Sequence, residues 1–186
     1  MNATYAVIAV VLVLLVCGAV LWPLLARRKR AVRLHDQFGP EYERAVLSAG
    51  DERAAQRELE ARQKHVAALS IRALSRSERE RSLADWSSVQ SRFVDEPGRA
   101  IVDADRLITE AMRLRAYPVA DFEQRAADIS VNYPTLVSNY RAARAIAIKN
   151  EQQQANTEEL RQALIHYRSL FEELVGTEVV AVGARS

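Results

Sequence analysis

The chain has 186 residues, a formal net charge of +2 and 27% charged side chains, enough for one domain and an added segment. Residues 1–33 hold five cations and no acid, so the remainder carries 21 cations against 24 acids and lacks the basic balance of a nucleic-acid binder. A single cysteine, Cys17, excludes an intramolecular disulfide and a thiolate metal site.

Sparse glycine (6) and proline (5) favour helix nearly throughout. The expected fold class is all-α: one N-terminal transmembrane helix followed by a bundle of about five to six helices. After a short flank at residues 1–4 comes "YAVIAVVLVLLVCGAVLWPLLA", residues 5–26, without one charge. At about 1.5 Å per residue it spans about 33 Å, enough for a hydrocarbon core of about 30 Å. Tyr5 and Trp22 stand where interfacial rings are favoured. A cleaved signal peptide calls for a positive n-region, and "MNAT" has none. Val16 before Cys17 is a poor lipidation context. The retained single-pass anchor is the reading that fits.

Arg27, Arg28, Lys29, Arg30 and Arg33 follow directly. Cations beside an apolar segment stay cytoplasmic, which places the N-terminus outside and the domain in the cytoplasm of a bacterial inner-membrane protein. These five are the candidate contacts to anionic headgroups. The opposite topology, with a periplasmic or secreted domain, is the alternative.

Residues 27–50 read as a basic juxtamembrane segment with a short helix from about 40 to 48, opened by Pro40 and closed by Gly50. The helical domain is expected at 51–175. Asp51 caps a helix at 52–69 with a thin inner face of Ala55, Leu59, Arg62 or Gln63, Val66 and Leu69, which lies on the membrane or projects from the bundle; Glu60 and Lys64 supply an i,i+4 pair. Ser75 and Glu78 form a capping box for a helix at 76–94, with Leu83, Trp86, Val89, Gln90 and Phe93 on one stripe. Pro97 opens a helix to 116 with Ala100, Ile101, Ala104, Leu107, Ile108, Ala111 and Leu114 inward. Tyr117-Pro118 stops it. A short helix with Val119, Phe122, Ala126 and Ile129 inward runs to Tyr133-Pro134, and the next, 134–150, presents Val137, Tyr140, Arg144 or Ala143, Ala147 and Ile148. Asn156 and Glu159 make a second capping box before a last helix with Leu160, Ala163, Leu164, Tyr167, Phe171 and Leu174 inward. Residues 176–186 read as a flexible tail.

No phosphate loop, dinucleotide fingerprint or nucleophile elbow occurs. His35, His65 and His166 lie in no metal-ligand spacing; His65, in the most charged helix, reads as solvated, and neighbouring acids point about 100° apart on a helix. No catalytic residue, cofactor or metal site is assigned. Tyr117, Phe122, Tyr133 and Tyr140 are either a candidate protein-interaction surface, because aromatic rings concentrate at interfaces, or core residues whose hydroxyls reach the rim. Acids with His65 or His166 in one pocket would instead point to a membrane-tethered enzyme.

"FGPEYERAV", "DFEQRAADISVNYPTLVSNYRAA" and "EELRQALIHYRSLFEELV" resemble a family of small bacterial proteins that pair an N-terminal apolar helix with a helical domain. The resemblance covers roughly residues 34–175. It implies the architecture above and brings no activity or site residues with it.

Overall fold

The computed structural model describes residues 28–176, and the apolar run at 5–26, Arg27 and the tail from 177 lie outside them. Three prolines set helix starts: Pro40, Pro97 and Pro134 each stand in the first turn, where a missing N–H costs nothing. With the capped starts they delimit α2 (Pro40–Ala49), α3 (Glu52–Ala68), α4 (Arg76–Asp95), α5 (Pro97–Leu114), α6 (Phe122–Asn132), α7 (Pro134–Glu151) and α8 (Thr157–Gly176); ahead of them the described residues 28–38 are helical and are called α1. The described residues are therefore all-α, and none of their helices is long and apolar enough to cross a membrane.

The caps follow the side-chain chemistry. Asp51 accepts from the Ala54 N–H at 2.9 Å and Asp121 from that of Gln124 at 2.9 Å. Ser75 and Glu78 close a reciprocal box, and so do Asn156 and Glu159, each bond 2.9 Å. Gly50, at φ 67°, ends α2 in the left-handed conformation that glycine adopts without a Cβ penalty.

Two hydrophobic cores result. The larger draws on α4–α8: α5 and α8 pack together at its centre, with α4 against both and α7 along α8. Trp86 stacks on Phe171 with ring centroids 4.6 Å apart, and Tyr140 meets Tyr167 edge-on at 6.1 Å. The smaller joins Leu34 and Phe38 of α1, Tyr42 and Ala45 of α2, and Ala55 and Leu59 of α3. Residues 28–50 are thus part of the folded body and are not set apart from it at residue 50. α2 rests on α7 and α3 on α6.

Several inward assignments change. α3 neither projects nor stands alone, because α2 and α6 cover Ala55, Gln56, Leu59 and Val66. On α4 the buried row is Ser82, Trp86 and Val89; Leu83 and Gln90 face solvent. Val119 lies before α6 begins and is exposed, as is Ile148 on the outer face of α7, whose buried residues are Val137, Tyr140, Ala143 and Ala147. Gly176 belongs to α8 and not to the tail. Glu60 reaches across to Arg30 at 3.1 Å and Arg33 at 3.8 Å, a link between α1 and α3 in place of the expected pair along α3.

Candidate functional site

The four aromatic residues do not make one surface. Tyr117 and Tyr140 are buried in the larger core, and Phe122 and Tyr133 are half-buried against it. Burial needs a partner for each hydroxyl. The Tyr117 oxygen accepts from Asn132 Nδ2 at 2.8 Å and that of Tyr140 from Arg125 Nε at 3.2 Å. Burial pushes both phenols above the ordinary tyrosine range, so they stay neutral. Phe122 is the one with a polar surround: Tyr140 lies 4.8 Å away, and the guanidinium carbons of Arg125, Arg141 and Arg144 stand 5.9–6.0 Å from its ring centre.

The basic strip is placed as far as it is described. Arg28, Lys29, Arg30 and Arg33 are exposed on α1, while Leu34 and Phe38 of the same helix are fully buried. The cations are therefore held in place on α2 and α3, with Arg30 and Arg33 partly engaged by Glu60.

Charge also collects where nothing in the periodicity announced it. Between α2, α3, α6 and the start of α7 lies a cleft of about 550 Å³, lined by Arg44, Glu58, Arg62, His65, Glu123 and Arg141 among others. Glu41, 3% exposed, lies beside it on α2. Its Oε1 accepts from Arg62 Nη1 at 3.1 Å and from Arg141 Nη2 at 3.0 Å. Arg141 also donates to Glu123 at 2.6 Å, and Arg44 stands 3.5 Å from that carboxylate. Burial lowers the Arg141 pKa, yet the bonds it donates to Glu41 and Glu123 carry it above the usual value. For Glu123, burial works upward and is outweighed by Arg141 and Arg44, which hold the carboxyl below its ordinary range.

Asp128 is the contrasting acid. Its side chain is 1% exposed. Oδ1 accepts from Gln124 at 2.8 Å and lies 3.6 Å from His65 Nε2, while Oδ2 has no partner. Burial raises its pKa, against the smaller opposing effects of Gln124, His65 and Arg62. His65 is thus beside a buried carboxylate and only half in solvent. His166 is half-buried on α8 and His35 lies near Glu43, apart from the cleft. Among the described residues, no group of three or more His, Cys, Asp or Glu side chains is arranged to hold a metal ion.

The cleft's chemistry is internal compensation: Arg62 and Arg141 satisfy the one carboxylate among their partners that is withdrawn from water, Glu41. Of its members the sequence pointed to His65, as a residue that acids in one pocket would make a candidate, and to Arg62, as a polar residue on the inner face of α3. Glu41 and Arg141 meet across 100 residues, beyond any local spacing rule. The geometry defines an all-α protein with a charge-lined cleft at the joint of two helical groups. Comparisons with protein-family models, with curated proteins and with solved structures gave no match.

Proposed function

We propose that this chain is a single-pass membrane protein of the bacterial inner membrane, whose cytoplasmic helical domain is a non-enzymatic module that holds a protein partner at the bilayer. The observation that carries the reading is the placement of Arg28, Lys29, Arg30 and Arg33. They lie exposed on a helix packed on α2 and α3 through Leu34 and Phe38, and in the sequence they follow closely on an uncharged run of 22. Cations so placed meet anionic headgroups, each adding about 1 kcal/mol near the surface, and favour the cytoplasmic side.

The test is protease accessibility of the domain in spheroplasts, with apparent mass read on the same blot. Protection of a full-length chain supports an anchored cytoplasmic domain. Digestion, or loss of about 25 residues as for a cleaved leader, overturns it in favour of a periplasmic or secreted domain. Crosslinking in intact cells then asks for the partner; no adduct under several growth conditions would remove the interaction role.

One observation favours a second reading. His65 lines a cleft beside buried Asp128, the relation in which a carboxylate orients an imidazole for general-base work. A panel of chromogenic esters and phosphate esters decides it: turnover lost in His65→Gln supports a membrane-tethered hydrolase, and no turnover by the parent chain removes it.

A further inference from the structure

The helices divide at residues 69–75, the one covalent link between α1–α3 and α4–α8. Each group closes on its own hydrophobic core. The link itself belongs to the second group: Leu69, Ile71 and Leu74 pack on the larger core, and the Arg72 N–H donates to the Arg115 carbonyl at 3.1 Å. The pivot therefore falls where α3 ends, at Ala68.

Across the joint, charges form much of the fastening. Glu41 bonds Arg141 at 3.0 Å, Arg44 stands 3.5 Å from Glu123, and His65 lies 3.6 Å from Asp128. Apolar contact crosses it as well: half-buried Val131 of α6 packs on the smaller core, and α6 runs along α3, where Val66 is buried. Of the four buried side-chain polar atoms without a partner among the described residues, two lie here, Asp128 Oδ2 and Arg141 Nε. Buried charge pairs gain little over their desolvation cost, and an orphaned polar atom adds a further cost. Two cores, one pivot and a polar seam are the conditions for opening part of a structure without unfolding the rest.

We propose that α1–α3 is a latch that swings from α4–α8 as a unit about Ala68, with the Glu41–Arg141 pair as its main fastening. Opening carries Glu41, Asp128 and Arg141 into solvent and leaves the larger core intact. The latch does not depend on the membrane reading or on any ligand of the cleft.

Hydrogen exchange read by mass spectrometry on the full-length chain in detergent micelles tests it. In the parent chain, the slowest amides of α1–α3 are expected to exchange at least about tenfold faster than those of α5 and α8. Glu41→Gln is expected to speed α1–α3 by about tenfold or more, because it leaves Arg141 short of a buried counter-charge, with α5 and α8 unchanged. Equal slowest rates in both groups of the parent chain overturn the proposal. So does a Glu41→Gln effect spread evenly over all helices, or none. Should that variant not fold, Arg44→Gln reads the same selectivity through the more exposed pair with Glu123, and the parent-chain comparison stands by itself.

Discussion

Asp128 brings a carboxyl into a site that gives it one strong donor and leaves one oxygen bare. Because burial raises its pKa in the folded chain above 3.8, the fold holds that proton more tightly than the unfolded chain does. The stabilising contribution is complete below 3.8 and is lost as pH rises through the folded value. Ionised Asp128 thus works against the fold at neutral pH. Asp128→Asn, which still offers Gln124 an oxygen, should equal or exceed the parent in urea unfolding at pH 7, and that advantage should vanish below pH 3.8. A second residue-scale strain sits at helix ends. Ala116, φ 65°, and Gln153, φ 57°, occupy left-handed positions. The bonds Tyr117 N–H to Met112 carbonyl and Gln154 N–H to Lys149 carbonyl show that each is the turning residue of a Schellman cap. Ala116→Gly and Gln153→Gly should each raise stability by up to about 1 kcal/mol in denaturant titrations.

Helices announce their own limits better than their neighbours. Ser75 with Glu78 and Asn156 with Glu159 could be read as caps because the bonds they make span three residues. Ser75→Ala should cost about 1 kcal/mol and shift the urea midpoint of the domain with the slope unchanged. The inner face of α5 was legible for the same reason: its apolar residues repeat at helical spacing and are buried as a row. On α3 the row Ala55, Leu59 and Val66 was legible as well, though not the helices that cover it; on α4 only Trp86 and Val89 of the expected stripe are buried, since charge covers most of its turns and the rest of the pattern depends on which helix arrives from elsewhere. Leu83 is exposed while Ser82 is buried, a shift of one residue around α4, which packs on α5 and α8. The aromatic residues around the two Tyr-Pro stops were visible as a concentration, but composition does not say whether a ring faces a partner or a core. Glu41 and Arg141 gave no local sign at all.

At the scale of the molecule, the two cores should answer separately to damage. Phe171 is fully buried against Trp86 in the larger core, and Phe38 is fully buried in the smaller. Truncating either to alanine removes about 3–5 kcal/mol of local packing. Phe171→Ala should collapse the far-ultraviolet dichroism of the whole domain on mild heating. Phe38→Ala should lose α1–α3 first, seen as early proteolytic cuts before residue 76 with α4–α8 left intact. α8 sets the order in which any of this can be built. It lies against α4, α5 and α7, and Arg115 Nη1 donates to the Leu174 carbonyl at 2.8 Å, with Arg79 on that of Gly176 at 3.2 Å. A nascent chain has α4, α5 and α7 in hand before the helix that covers part of their apolar faces leaves the ribosome. Those faces stay open until synthesis has passed residue 176, so the larger core closes after translation of its last helix, and a chain stalled before that point is exposed to chaperones and proteases.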